Sequence, residues 1–93
     1  MFSWDASKAL KNYQKHGVPF EEAATVFGDS DGLDWEVFRH GHSERRWKRL
    51  GKSSPRRVLL VVYTLRRLAN GTETIRIISA RQASRKERKA YAG

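Results

Sequence analysis

The chain contains no cysteine, only two prolines and no long apolar run among its 93 residues. Without cysteine it can form neither disulfide bonds nor thiolate metal sites. Its longest uninterrupted apolar run, residues 58–63, is far shorter than the roughly 18 residues that a membrane-spanning helix needs. Because single domains typically hold roughly 100–150 residues, we expect one domain over residues 1–93. The first residues lack the pattern of a signal peptide, and with the short apolar runs this predicts a soluble, cytoplasmic domain.

Carboxylates are scarce in the second part of the chain. Residues 39–93 carry sixteen Lys or Arg and three Glu, whereas residues 1–38 carry three Lys and seven Asp or Glu, which gives the net charge of +9. This excess of positive charge predicts a polyanion or an acidic protein as the partner. Hard cations need clustered carboxylates, and the pair His40 and His42 in the RHGHSE loop has no evident third ligand. We therefore predict no metal site and no cofactor.

The first 28 residues have the pattern of two helices. One helix is predicted to begin after Asp5, whose carboxylate suits an N-cap, and to end at His16-Gly17. A second helix is predicted over residues 19–28. Phe2 and Trp4 alternate with polar residues, as in a short opening strand.

The following residues have the alternation and turn signals of a sheet. Asn70-Gly71 is typical of a two-residue hairpin loop with a type I′ turn. Such a loop sets Arg76 opposite Leu65, and Arg76 and Arg81 then lie on opposite faces of the sheet unless a bulge intervenes. The predicted strands are residues 33–38, 46–51, 57–65 and 74–80.

The last ten residues begin with a capping box, in which Ser84 and Glu87 each satisfy a free backbone amide. A short helix is therefore expected to run to about Ala92. The element order indicates an α+β fold, in which two N-terminal helices cover an antiparallel sheet of about four strands and a short helix ends the chain.

Nearly the whole chain is covered by four stretches, which read KALKNYQKHGVPFEEAATVF, RRWKRLG, RVLLVVYT and RIISARQASRKERKAY. The first and last contain the motifs N-x-x-K-H-G-V-x-F and R-I-I-S-A-R-x-A-S-x-x-E-R. In these residues the chain resembles the BrnT family of bacterial type II toxins, in the RelE/ParE-like superfamily. Lys48 and Arg49 depart from the resemblance, because the family tends to be apolar at these positions.

The resemblance implies a RelE-like fold and a ribonuclease that blocks translation. It also implies a ribbon-helix-helix antitoxin, similar to BrnA, which masks the toxin and alone carries it to operator DNA. The composition is compatible with cleavage of RNA without a metal, because RNA supplies its own nucleophile, the 2′-OH. The protein then has to orient that hydroxyl, move protons and neutralise the phosphate.

Three arginines are the first candidates for the phosphate. Arg81 stands where the last strand meets the N-terminus of the last helix, a place that favours anions; the alternative is an ion pair with Asp5 or Glu87. Arg76 is a site residue, a structural ion pair or an antitoxin contact. Arg46 opens the strand that resembles the family's R-x-x-x-x-G strand.

Two further residues are candidates for proton transfer. Tyr91 resembles the C-terminal tyrosine of RelE-type toxins, and surrounding cations would lower the pKa of its phenol; the alternative is that it anchors the last helix. His16 has a suitable ordinary pKa but also suits the C-terminal end of a helix dipole. The predicted RNA-binding cations are Lys48, Arg49, Arg85, Arg88 and Lys89, and Trp35, Trp47 and Phe38 are either base-stacking or core residues.

Two other functions remain compatible with the same residues. The chain is then a non-catalytic module that binds nucleic acid or an acidic protein, or it inhibits DNA gyrase in the manner of ParE. Induced expression in bacteria distinguishes the three functions. Growth arrest with fragmented RNA indicates the ribonuclease, arrest with DNA damage indicates the gyrase inhibitor, and no arrest indicates the binding module.

Overall fold

The computed structural model of the chain describes residues 1–38 and 44–93. The predicted loop histidines, His40 and His42, lie outside these residues. No helix in the two described ranges is long and apolar enough to span a lipid bilayer. The elements are β1 (Phe2–Ser3), α1 (Ala6–His16), α2 (Phe20–Thr25), a 3₁₀ turn (Val26–Gly28), β2 (Leu33–Val37), β3 (Arg46–Lys52), β4 (Val58–Arg67), β5 (Glu73–Gln82) and α3 (Arg85–Ala92).

The fold is α+β, with three helices and a five-stranded mixed sheet of order β1-β5-β4-β3-β2. Strands β2 to β5 pair in antiparallel fashion, whereas β1 runs parallel to β5. The prediction of about four antiparallel strands is therefore incomplete, because the two residues of β1 add a parallel edge strand. Phe2 fixes this strand by packing on Phe27, with ring centroids 5.4 Å apart.

Helices α1 and α2 cover one face of the sheet. The predicted limits of α1 are confirmed: the Asp5 carboxylate accepts a hydrogen bond from the Lys8 amide at 3.0 Å, and Gly17 ends the helix at φ +69°. Burial of apolar side chains between these helices and the sheet supplies the main stabilising contribution. This core consists of Val18, Phe20, Ala23, Val26, Leu59, Val61, Ile77 and Ala80.

Asn12, the first residue of the N-x-x-K-H-G-V-x-F motif, is a buried polar residue of α1 with a structural role. Its carboxamide accepts from the Ala80 N–H at 3.1 Å and donates to the Ala80 carbonyl at 2.8 Å. It therefore satisfies backbone groups on the edge of β5 where β1 no longer runs beside that strand. The same amide nitrogen donates to the Val18 carbonyl at 3.2 Å, which ties the end of α1 to the sheet.

The hairpin between β4 and β5 has a three-residue loop and not the predicted two-residue loop. The Leu68 amide donates to the Thr72 carbonyl at 2.8 Å, and Gly71 adopts φ +85°. A type I turn followed by a left-handed glycine accounts for this geometry. The pairing next to the loop is consequently shifted by one residue, so that Arg76 lies opposite Thr64 and not opposite Leu65.

A β-bulge in β5 reverses this shift. Val62 pairs with Ser79 and Tyr63 with Ile77, which leaves Ile78 as the extra residue. Beyond the bulge Arg81 lies opposite Leu60, four positions from the partner of Arg76. Because residues an even number apart share a face, Arg76 and Arg81 lie on the same face of the sheet.

Helix α3 packs on the face opposite α1 and α2, which we call the open face. The predicted capping box is confirmed, since Ser84 and Glu87 bond reciprocally to each other's backbone amides at 3.1 and 2.8 Å. Tyr91 is the main apolar contact of this helix. It packs against a small cluster of Leu50, Leu60, Ala83 and Val58.

Candidate functional site

Three rows of side chains cross the open face, because directly paired residues on neighbouring strands share a face. Trp47 pairs with Tyr63, so in the antiparallel arrangement of β3 and β4 the next pair along these strands is Arg46 and Thr64. The first row is Leu33, Leu50, Leu60 and Arg81; the second is Trp35, Lys48, Val62 and Ser79; the third is Val37, Arg46, Thr64 and Arg76.

Helix α3 covers the centre of the first row, whereas Leu33 at the end of that row is 43% exposed. Leu50 and Leu60 are only 2% and 3% exposed beneath it. Between the second and third rows lies a depression of about 450 Å³. The bulge contributes to its wall, because it turns the extra residue of β5 toward the open face. We call this feature the open-face depression, and it is lined by Val37, Arg46, Lys48, Val62, Ile78 and Ser79.

Three cations of the open face form no salt bridge within the described ranges, although the charge of Arg76 contributes, after the Lys8 amide, to lowering the pKa of Asp5. Within residues 1–38 and 44–93, which include every Asp and Glu of the chain, no carboxylate lies within 4.0 Å of Arg46, Lys48 or Arg76. The Nε of Arg46 and the hydroxyl of Thr64 are also buried without a hydrogen-bond partner in this part of the chain. Burial of an unpaired donor costs stability, so this corner of the face is arranged to receive an acceptor.

Arg81 lies on the same face but is paired. Its Nη1 and Nη2 donate to the two carboxylate oxygens of Glu87 at 2.8 and 2.9 Å. This bidentate bond, with the Ser84 amide, lowers the pKa of Glu87 to about 2. Of the two alternatives predicted for Arg81, the structure has the ion pair, so its guanidinium is not a free phosphate ligand.

Tyr91 is not a phenol with a lowered pKa, and that prediction is wrong. Its hydroxyl donates to the Asp29 carboxylate at 2.5 Å, and this bond raises the pKa of Tyr91 to about 12. The Asp29 carboxylate also accepts from the Lys52 amide at 2.8 Å. Tyr91 therefore anchors α3 to the 3₁₀ turn, which was the alternative role.

His16 and the cations of α3 are placed differently from one another. His16 ends α1, on the covered side of the sheet, so it does not face Arg46 or Lys48. Arg88 donates to the Ala83 carbonyl at 2.8 Å and is exposed, as are Arg85 and Lys89. The structure thus separates His16 from the other predicted catalytic residues.

Arg49 is a structural residue and not a surface cation. Alternation along β3 places it on the face opposite Lys48, where it forms an ion pair with Asp34. Its Nε also donates to the Val26 carbonyl at 2.9 Å. With a side chain only 13% exposed, it is not available to RNA. Counting alternate positions from the buried Leu50 would have identified this.

The predicted aromatic residues divide in the same way. Trp47 lies on the covered side of β3, where the Arg45 guanidinium stands 5.7 Å from its ring. Trp35 belongs to the open face and is 41% exposed, and Phe38, which follows β2, is 86% exposed. Only Trp35 belongs to a row that crosses the depression.

The comparisons with known proteins agree with this architecture. A family model, the ribonuclease toxin BrnT of type II toxin-antitoxin systems, matches residues 4–87. The chain belongs to the BrnT family. Its fold is similar to the crystal structure of the Brucella abortus ribonuclease toxin BrnT, with a TM-score of 0.66 and 22% identity over 91% of this chain and 99% of that chain. No curated protein matches the sequence.

Membership of the BrnT family makes the chain a ribonuclease toxin of a type II system, with an antitoxin as its partner. Several residues of the motifs that indicated the family serve the fold, as Asn12 and Glu87 illustrate. Sequence reasoning missed Ser79, which lines the depression. Its position between two candidate arginines of the R-I-I-S-A-R motif was the available signal.

Proposed function

We propose that this BrnT-family protein is a metal-independent endoribonuclease with a RelE-like fold. The 2′-OH of its RNA substrate attacks the adjacent phosphorus and the bond to the 5′-oxygen of the next nucleotide breaks, which leaves a 2′,3′-cyclic phosphate and a 5′-hydroxyl; the proton lost by the 2′-OH balances the one gained by that oxygen. By this activity the protein blocks translation in the cytoplasm. Residues 1–93 act as a single domain. The observation that carries the proposal is a set of three cations without a salt bridge to any described residue: Arg46 and Lys48 line the open-face depression, and Arg76 lies in the same row as Arg46.

These cations suit the charge that develops during phosphate transfer. Attack by the 2′-OH adds negative charge to the non-bridging phosphate oxygens, and fixed guanidinium and ammonium groups stabilise that charge most where water is partly excluded. Arg46 and Arg76 flank Thr64 across β4, about 10 Å apart at the backbone by the spacing of strands. Their long side chains can therefore converge on one phosphate from two sides, with Lys48 one row away.

The described lining of the depression also favours chemistry without a metal. It contains no carboxylate, imidazole or thiol, and its two cations repel a divalent ion. DNA lacks the 2′-OH and would need an activated external nucleophile. RNA is therefore the nucleic acid that these residues can cleave with least assistance.

The other predicted residues receive supporting roles in this proposal. Arg81 and Tyr91 hold α3 against the first row, and α3 forms one wall beside the accessible rows. The exposed cations Arg85, Arg88 and Lys89 attract the RNA backbone, a contribution that salt weakens. His16 and Arg49 are excluded from the site by their position on the covered side.

For the antitoxin we propose a ribbon-helix-helix protein similar to BrnA. Its toxin-binding segment would be acidic, which complements the unpaired cations of the open face. By lying on this face it would compete directly with RNA. Operator DNA would be bound only through the antitoxin.

Cleavage of a defined RNA in EDTA tests the proposal. We expect products that end in a 2′,3′-cyclic phosphate, and no cleavage when a single 2′-deoxynucleotide replaces the nucleotide 5′ to the cut. A DNA strand of the same sequence should remain intact. Cleavage that requires Mg²⁺, or that persists at the 2′-deoxy position, would contradict the mechanism.

Induced expression in bacteria provides the second test. We expect growth arrest with loss of translation, reversed by the antitoxin. Arrest accompanied by DNA damage and gyrase inhibition would instead support the ParE-like function.

A further inference from the structure

Trp35 occupies a position that the proposed reaction does not use. It lies on edge strand β2, directly opposite Lys48, and its side chain is 41% exposed on the open face. Tryptophan is among the residues that small domains usually bury on average. Here it is paired with Lys48, one of the residues that line the open-face depression, so an exposed aromatic ring lies on the strand next to that cation.

The second row places Trp35 in line with groups that suit the parts of a nucleotide. Continuous pairing runs from Trp35 to Lys48, from Lys48 to Val62 and from Val62 to Ser79. Three strand spacings make this row about 14 Å long. It presents an aromatic surface, a cation and a hydroxyl in that order, with an aliphatic floor between the last two.

We propose that Trp35 is a base-stacking platform, and that the protein therefore selects unpaired RNA. Stacking on an aromatic side chain requires a base that is splayed out, which is possible in single strands, loops and ends but not inside a duplex. This inference rests on the proposed function, because it specifies the class of RNA that the same site binds.

Charge identifies the occupant of this surface. The row next to Trp35 carries Arg46 and Arg76, and among residues 1–38 and 44–93 no carboxylate lies within 4.0 Å of either one or of Lys48. A strand of nucleotides brings one phosphate for each base, so it matches an aromatic group with a cation beside it. Leu33, also on the open face, lies toward α3 and away from these cations, and it is not part of the platform.

A binding experiment with RNA that cannot be cleaved tests the platform separately from the reaction. The probe is a short 2′-O-methyl oligonucleotide, used as a single strand and as a duplex with its complement, and its affinity is measured by fluorescence anisotropy. We expect Trp35→Ala to lower affinity for the single strand about tenfold and to leave the weaker duplex binding unchanged. Trp35→Phe should retain most of the affinity.

Tyr13→Ala is the matched control, because Tyr13 is a 53% exposed aromatic residue of α1 on the other side of the sheet. This variant should bind both probes normally. The slope of affinity against salt should not change in Trp35→Ala, since the indole neutralises no phosphate. Circular dichroism of each variant establishes that it is folded.

Three outcomes would overturn the platform. They are equal losses for single strand and duplex, no loss for either, and a loss of antitoxin binding in Trp35→Ala with RNA affinity retained. If the selective loss is found but the wild-type protein does not cleave ordinary RNA, the platform is supported and the proposed reaction fails. If cleavage is found without the selective loss, the reaction is supported and the platform fails.

Discussion

The two faces of the sheet use the same residue type in opposite ways. On the covered face, Arg57 forms an ion pair with Glu22 at 2.5 Å, and Arg49 pairs with Asp34. At the centre of the open face, Arg46 and Arg76 have no carboxylate within 4.0 Å among the described residues. Arg49 and Arg57 therefore stabilise the covered face, whereas Arg46 and Arg76 of the open face form no salt bridge in the part of the chain that the structure describes.

The two faces differ in how far their arginines are exposed to water. The covered face excludes water beneath α1 and α2, and a charge there is tolerated only with a partner. The open face is closed at one end alone, by α3, so its central cations are partly solvated. Because they form no salt bridge within the described residues, they can bind a ligand whose negative charge neutralises them.

Neutralising the open-face arginines should produce the largest effect, and it should be an effect on cleavage alone. We expect Arg46→Met and Arg76→Met each to lower kcat about 100-fold, because each removes a charge that stabilises the transition state. The free energy of unfolding should stay constant or rise for Arg46→Met, since its buried Nε has no acceptor. Cleavage kinetics and urea denaturation measure the two quantities.

Arg66→Met is the control for this comparison. Arg66 carries the same charge near the hairpin end and is paired with Glu44 at 3.1 Å. Its replacement should leave kcat within about twofold of the wild type, because an exposed pair contributes little. Equal losses in all three variants would mean that overall charge, and not position, drives cleavage.

Two consecutive residues of β3 should separate stability from RNA binding. Arg49→Met is expected to lower the free energy of unfolding by about 3 kcal/mol, because it removes the cation that pairs with Asp34 and the donor to the Val26 carbonyl. Lys48→Met should change that free energy by less than about 0.5 kcal/mol and should weaken RNA binding. Urea denaturation measures the stability of the two variants, and fluorescence anisotropy measures their RNA affinity. If Lys48→Met lost stability and Arg49→Met lost RNA affinity, the roles assigned to the two faces would be wrong.

The hydroxyl of Tyr91 should matter for stability and not for proton transfer. Tyr91→Phe removes the bond to Asp29 and should lower the free energy of unfolding by about 1 kcal/mol. Its kcat should stay within about threefold, with an unchanged pH profile. Loss of about 100-fold in kcat with a changed pH profile would instead make Tyr91 a general acid or base. Tyr13→Phe, on the exposed side of α1, is the control for both measurements.

The sequence predicted the local structure well where a motif is compatible with only one local structure. The Asp5 cap, the left-handed Gly17 and the Ser84–Glu87 capping box are all confirmed. Asn70-Gly71 is compatible with two loop types, since glycine can complete either a two-residue turn or a three-residue loop whose third residue is left-handed. The sequence located this hairpin correctly, but the loop type and the adjacent register were wrong.

The site was harder to predict, because it depends on registers and on distant contacts. Nothing in the apolar run around Ile78 indicates a bulge, yet the bulge brings Arg76 and Arg81 to one face. The Asp29–Tyr91 bond joins residues 62 positions apart, and spacing alone cannot reveal such a pair. Alternation along β3, by contrast, was sufficient to assign Arg49 and Lys48 to different faces.

A similarly small effect on stability is expected for Glu87, whose pair with Arg81 lies on the open face beside α3. Because the folded pKa of Glu87 is lowered from its ordinary value of 4.5 to about 2, the pair stabilises the fold fully above pH 4.5. That contribution is lost as the pH falls toward 2. Glu87→Gln should therefore lower the free energy of unfolding at pH 7 by about 1 kcal/mol, a value limited by solvent screening because the Arg81 side chain is 40% exposed.

Urea denaturation at pH 7, 4 and 2 checks this expectation. The difference between wild type and Glu87→Gln should shrink as the pH falls, because the wild-type carboxyl becomes protonated and resembles the amide of the variant. Glu73→Gln is the control, since Glu73 is 63% exposed and lies 3.7 Å from Arg67, and it should show almost no difference at any pH. A constant difference for Glu87→Gln would mean that the capping bonds, and not the charge of the pair, hold α3 on the open face.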